Sequence, residues 1–587
     1  MKKLPGSFQG LGTKWTEQGM EFTFAAAGEK LPAVLFYDRS TKKLIERLEV
    51  QESDRIGDVC SVTVAEGDWD SLCYLLEIDG EAQMDPYARE VLGREHWKDT
   101  SRLKTKKQLY GGFEKSAFSW KHKAPELSGG EMVCYKLHMR GLTMASALPR
   151  EQKGNYLGIL AKLPELAELG VTSLEFMPLY DFEEVLTDKI NYWGYGDAFY
   201  FAPKASYFGG TDPVSHMKEM VDAIHGYGME CVLEMAFAQG TSQDLMVDAL
   251  IYWTKTYRVD GFHLVGCNLP IERIAQCPYL KRVKIFYDHF PWELLEQESG
   301  RKHLFVYNDD FLYALRRMQN HMEGSMTQFA DQTRRQNARY GFVNYAANTS
   351  GFTLWDAYSY GEKHNEENGE ENRDGNPLNF SNNYGWEGPT KNKSIQRARM
   401  RQMRNAIASV MLSQGVPLLL AGDENANTQK GNNNPYCQDN RVGWVTYSSA
   451  KEKLELREFT RKMIAFRKEH PVLRGEEAMR LNDYKHQGIP DLSYHGREPW
   501  MMGLSPEQRA VGMLYCGAYA GKDQPDLYVC YNFHYEPVSM ALPRLPGKKV
   551  WRLVMNTVTE EGFLETCPIC EEQVEVEGGS VCILMSE

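Results

Sequence analysis

From Met132 onward the sequence alternates short apolar runs with longer amphipathic ones, and this alternation constrains the fold more than any single motif. The runs are "VCYKLHM", "SLEFMPL", "CVLEMAF", "GFHLVG", "RVKIFYD", "FVNYAAN" and "PLLLAGDE", with "LFVYND" a weaker eighth. Helical patterns such as "LGILAKLPELAELG" and "DPVSHMKEMVDAIHGYG" separate several of them. Near-continuous apolar runs of strand length suit strands buried on both faces, and parallel strands need helical crossovers. Eight of them predict an α/β chain, a (β/α)8 TIM barrel rather than an open sheet. On that fold active sites lie at the C-terminal strand ends, so the last residues of each run are the place to look.

Shorter β-prone runs flank this region. "MEFTFAAAG", "AVLFYD", "CSVTV" and "CYLLEIDG", with turn residues between them, predict an N-terminal β-sandwich over residues 1–125. The turn-rich, basic connector "GREHWKDTSRLKTKKQLYGG" lies at its end. "DLYVCYNFHY", "VSMALP" and "KVWRLVMN" predict a C-terminal β-sandwich over 466–587, which leaves 126–465 for the barrel. A chain of 587 residues is long enough for three such units.

Charge and composition exclude other classes. A net charge of -13 with no basic stripe argues against a nucleic-acid partner. The start, "MKKLPGSFQGLG", has no apolar core of a signal peptide, and no window approaches about 18 apolar residues, so no membrane partner and a cytoplasmic location are expected. The 12 cysteines are scattered, many in apolar runs such as "ECVLEM", and read as reduced core residues. Cys567 and Cys570 in "TCPIC" stand at metal-ligand spacing without a second pair, so neither metal nor cofactor is expected. The polar insertion "SYGEKHNEENGEENRDGNPLNFSNNYGWEGPT", between the seventh and eighth runs, reads either as a solvated loop or as a substrate contact above the barrel mouth.

Five strings carry a resemblance: "DPYARE", "YKLHMRGLT", "NYWGYGDAFYFAP", "NYAANTSGFTLWDAYSYGEKHNEENGEENRDG" and "SQGVPLLLAGDENANTQKGNNNPYCQDN". Through them the chain, from about residue 5 to near its end, resembles the alpha-amylase superfamily (glycoside hydrolase family 13) and, within it, the isoamylase and glycogen-debranching, pullulanase-like branch. The resemblance implies a starch-binding-like N-terminal sandwich and an α-glucan or malto-oligosaccharide ligand. It also implies a retaining mechanism: one carboxylate attacks the anomeric carbon while a second, about 5 Å away, protonates the leaving oxygen.

The family motifs are substituted where that chemistry would sit. The third strand should end Asp-Val-Val-Tyr-Asn-His and ends Glu234-Met235-Ala236-Phe237-Ala238-Gln239. The fourth should read Gly-Phe-Arg-Phe-Asp; His263 stands for the orienting Arg and Val265 for the nucleophile. On the fifth the acid/base position falls to Asp288, a remnant acid, or with a one-residue slip to Tyr287. On the seventh, Thr349 and Ser350 replace the His and Asp that bind the transition state.

Candidate sugar contacts remain. Tyr192 corresponds to the family's aromatic platform under the sugar, Trp193 adjoins it, and Trp386 with the polar residues of "GNNNPYCQDN" belongs to the loops above the mouth. Asp423 and Glu424 end the eighth run and suit a structural or substrate-positioning role. A lone His263 is either a proton shuttle or a packed, hydrogen-bonded residue. Three readings follow: a non-catalytic α-glucan-binding pseudoenzyme that regulates or scaffolds an active debranching enzyme; an active α-1,6-glucan debranching hydrolase using displaced carboxylates, Asp288 with Glu234 or Asp423; or a barrel reused for protein interaction without sugar.

Overall fold

The computed structural model describes residues 1–28, 30–104, 107–114, 118–501, 509–547 and 549–587; Thr105 and Lys106 of the basic connector lie outside the described residues. Its centre is a closed barrel of eight parallel strands: β1 (Cys134–Leu137), β2 (Ser173–Phe176), β3 (Glu230–Phe237), β4 (Gly261–Gly266), β5 (Lys284–Tyr287), β6 (Leu304–Tyr307), β7 (Gly341–Tyr345) and β8 (Val416–Leu420). Every residue of β3 and β8 is buried, as strands covered on both faces require. All eight runs singled out in the sequence are barrel strands, the weaker "LFVYND" being β6.

Alternation along each strand divides the barrel interior from the helix-facing side. Cys134, Val232, Phe286, Phe305, Val343, Val416 and Leu418 pack together inside the lower barrel. Two residues further along β1, β3 and β6 come Lys136, Glu234 and Tyr307, so the next interior layer is polar.

The N-terminal unit is two antiparallel sheets around a core that includes Phe22, Phe36, Tyr74 and Phe113. Phe22 meets Phe36, Tyr74 and Phe113 edge-on with centroids 5.3–5.9 Å apart. Arg94 ties the connector to the barrel side through Asp181 at 2.6 Å. The C-terminal unit is a six-stranded sheet and a two-stranded one. It docks on helix Lys393–Leu412, where Asn405 donates to the Gly579 carbonyl and accepts from Thr557. Helix Lys451–Glu469 runs past residue 465 because Leu456, Phe459, Met463 and Phe466 pack on the barrel side.

The insertion after β7 is not the solvated loop that its composition allowed. Asn365, Asn368, Asn432 and Asn433 are buried and bonded to one another across two loops. Asn365 Nδ2 donates to Asn433 Oδ1 at 2.9 Å, the Asn433 backbone N–H donates to Asn365 Oδ1 at 3.0 Å, and Asn432 Nδ2 donates to Asn368 Oδ1 at 3.0 Å. The amides of "GNNNPYCQDN" are therefore spent on each other rather than left open to a ligand.

No helix among the described residues is long and apolar enough to cross a membrane. The cysteines are free thiols, and Cys567 and Cys570 are half-buried.

Candidate functional site

The interior layer below the mouth is a closed set of charges. Lys136 of β1 places Nζ 2.8 Å from Glu175 of β2 and 2.5 Å from Glu234 of β3. His263 of β4 places Nδ1 2.8 Å from Glu175, 3.4 Å from Glu234 and 3.1 Å from Lys136 Nζ. Tyr307 of β6, stacked on His263 with centroids 4.1 Å apart, donates to the other Glu175 oxygen, and Tyr195 donates to the other Glu234 oxygen at 2.6 Å. Lys136, Glu175, Glu234 and His263 are all buried. Burying a charge is costly unless it is paired and hydrogen-bonded, and here each carboxylate oxygen has a partner.

The same geometry fixes the protonation states. Burial acts to raise the Glu234 carboxyl, but the Lys136 ammonium and His263 hold it down to about 2, and they hold Glu175 lower still. Burial and the Lys136 ammonium press His263 down; attraction to Glu175 and its hydrogen bonds to Glu175 and Glu234 win, and its pKa is raised. The candidate ligand atoms of Glu175, Glu234 and His263 lie within 4.8 Å of one another, close enough to share a metal ion. Lys136 Nζ already sits among these atoms and supplies the positive charge, so the set does not suit an added cation.

This reorganises the family positions. Where the resemblance places an orienting Arg on the fourth strand, this chain has His263 and carries its fixed cation on β1. Glu234 is locked to that cation and cannot act as a free base or nucleophile. His263, held on two carboxylates, is the hydrogen-bonded residue of the two alternatives.

Val265 lies two residues beyond His263 on the same inward face. Since His263 pairs with Phe286, Val265 is level with Asp288. Phe286 packs inside the barrel and Tyr287 against the outer layer, so alternation points Asp288, not Tyr287, at the mouth. Asp288 and Ser350 line a pocket of about 110 Å³ with Asp309, Arg316, Tyr345 and Asn348. Thr349 lies apart from them, in a space of about 40 Å³ lined by Lys136, Tyr192, Trp193 and Gln429. Ala238 and Gln239 follow β3 at the rim, where the Ala238 N–H donates to Tyr200.

The expected sugar platform is covered. Tyr192 is 1% exposed; its ring packs on His138 with centroids 3.9 Å apart, and its hydroxyl donates to the Gly443 carbonyl at 3.0 Å. Trp193 is buried against Tyr195 and Tyr436. Both serve as packing in this conformation because the eighth-strand loop closes over them. Asp423 and Glu424 are also buried: Asp423 accepts from the Leu420 and Leu354 backbones, and Glu424 from Tyr135 and the Gly422 backbone. Burial outweighs these bonds and raises Asp423 to about 7. They hold loops and do not reach a ligand. Trp386 differs: it is 55% exposed, with its indole N–H on the Pro389 carbonyl and its loop clamped by Arg399.

Lys136, Glu175, Tyr307 and Asp309 are among the residues of this site that escaped the sequence reading, with Tyr195. The first two carry a usable signal, a charge at an inward position within an apolar run, "YKL" and "SLEF". Asp309 opens helix Asp309–Gln319 and receives a hydrogen bond from Tyr345 at 2.7 Å. Burial and the neighbouring Asp288 raise its pKa.

A closed barrel of eight parallel strands between two β-sheet units defines a (β/α)8 barrel protein with flanking β-domains. The type I pullulanase of Bacillus subtilis strain 168, solved in complex with maltose, superposes with a TM-score of 0.75 at 19% identity, covering 98% of this chain and 85% of that one. Among sequences, isoamylase 1 of Oryza sativa subsp. japonica, a chloroplastic protein, is 27% identical over 94% of this chain and 82% of its own length. The glycogen debranching enzyme of Enterobacter sp. strain 638 is 29% identical over 77% of this chain and 82% of its own. No family model matches the chain. The chain is thus similar in sequence to isoamylases and glycogen debranching enzymes and similar in fold to a pullulanase.

Proposed function

We propose that this chain is a non-catalytic α-glucan-binding member of the debranching-enzyme family. The observation that carries the reading is Val265, an isopropyl side chain at the inward end of β4 where the family mechanism needs a nucleophilic carboxylate. Loss of a covalent nucleophile costs on the order of a millionfold, about 8 kcal/mol of transition-state stabilisation. Two of the carboxylates that could stand in are occupied: Glu234 is held by Lys136 and Tyr195, and Asp423 by two backbone N–H groups. The two spaces at the mouth, about 110 and 40 Å³, are also small beside the roughly 300–1,000 Å³ of ordinary ligand sites. The glucan class is supported by the relatives, named as isoamylase and glycogen debranching enzyme, and by the maltose bound to the Bacillus pullulanase.

The test is a reducing-sugar assay on glycogen, amylopectin and pullulan run beside electrophoresis through glycogen-containing gels. Retardation without release of reducing ends is expected. Release at the rate of an active debranching enzyme overturns the reading.

One observation favours residual hydrolysis. Asp288 and Asp309 share the mouth pocket, and Asp309, its pKa raised by desolvation and by the neighbouring Asp288 charge, is the kind of carboxyl that an acid role requires. If this pair works, Asp309→Asn abolishes any slow release that the wild type gives.

A further inference from the structure

A wide recess lies away from the barrel mouth. A groove of about 810 Å³ runs between the N-terminal sandwich and the barrel, on the side of helix Gln243–Tyr257. That helix supplies Asp248, Ile251, Tyr252 and Lys255, a spacing of i, i+3, i+4 and i+7 that puts all four on one face. The opposite wall is strand Gly12–Thr16, with Lys14 and Trp15. Between them lies Arg89, its guanidinium 3.9 Å over the Tyr252 ring.

This lining has the chemistry of a sugar site. Trp15 is 49% exposed, and it is held rather than loose: its indole N–H donates to the Glu114 carbonyl at 3.0 Å and its ring meets Trp69 edge-on at 5.8 Å. A fixed, flat aromatic face presented to solvent suits the C–H face of a pyranose, and it costs little ordering on binding. Lys14, Lys255 and Arg89 offer donors and Asp248 an acceptor, which matches hydroxyls that both give and take hydrogen bonds. Arg89 Nη1 is buried without a hydrogen-bond partner among the described residues. The groove also lies at a domain boundary and has the volume of an ordinary ligand site.

We infer that the groove between the N-terminal sandwich and helix Gln243–Tyr257 binds a segment of α-glucan chain, with Trp15 as its stacking platform. The inference rests on the glucan-binding reading above and relocates its site: a branch that has lost its barrel chemistry holds glucan with its domain junction.

The test uses the full chain in glycogen-containing gels, with Trp15→Ala and, as a second variant on the other wall, the exposed Lys255→Ala. Melting temperatures confirm that each is folded. Trp15→Ala is expected to raise the apparent Kd for glycogen at least tenfold and Lys255→Ala about threefold. Unchanged retardation in both overturns the inference, as does loss of retardation on Trp386→Ala alone, which moves the site to the mouth loops. Retardation by dextran sulfate but not by glycogen also overturns it, because the groove is then an anion site. A wild-type protein that glycogen does not retard overturns the glucan-binding reading itself, while retardation lost only in the groove variants supports both.

Discussion

At the scale of single residues, Lys136 decides what the barrel interior is. Its ammonium lies between two buried carboxylates, and His263 shares the same pair. Lys136→Met removes the cation and leaves Glu175 and Glu234 buried without it. Breaking a buried pair from one side costs about 3–5 kcal/mol, so a large drop in the urea midpoint at pH 7 is expected. The sign with pH follows from Glu234, whose carboxyl is held down to about 2 against an ordinary 4.5. A depressed acid adds stability that is fully present above its unfolded value and is lost as pH falls from about 4.5 toward 2. The deficit of the variant is therefore largest near neutrality and narrows below about pH 4.5. Equal deficits at pH 7 and pH 3.5 speak against the ion pair as the cause.

At the scale of elements, the segment after β7 shows how a polar sequence becomes a lid. Asn433 Oδ1 accepts from Asn365, and its Nδ2 donates to the Asn376 carbonyl at 2.8 Å and to Asn379 at 2.9 Å. Gly375, in the left-handed region at φ 81°, makes room: a Cβ there would meet Asn433 Oδ1 at 2.1 Å. Asn433→Ala leaves buried polar partners unmatched at a cost of about 1–3 kcal/mol. It is expected to speed proteolytic cleavage within 359–390 several-fold while the rest of the chain stays resistant. Cleavage at the wild-type rate denies that these amides hold the lid.

At the scale of the whole molecule, the features behind the proposed loss of chemistry are distributed. Val265, the locked Glu234, Thr349 and the covered Tyr192 lie on different strands and loops, so on that reading no single substitution is expected to build a retaining site. Val265→Asp restores a carboxylate at the nucleophile position but not its supporting groups, and release of reducing ends no faster than from the wild type is expected. Turnover in this one variant means that the remaining architecture is intact.

The eight barrel strands were legible because burial on both faces leaves apolar runs, and even the weak "LFVYND" kept Leu304 and Phe305 pointing to opposite packed layers. Val265 at the end of β4 was legible as an apolar residue at a strand end, because strand ends follow from the same runs. Lys136 and Glu175 were not, since attention to strand ends passes over charges buried one turn of the pleat below. Sequence by itself determined the barrel and the apolar Val265 at the end of its fourth strand, both local properties of short segments. Only the tertiary structure decided that Lys136 neutralises Glu175 and Glu234, that Tyr192 is covered, and that Trp15 faces Tyr252 and Lys255. Those facts depend on groups tens to hundreds of residues apart in sequence being brought side by side, and electrostatics and packing act through that proximity alone.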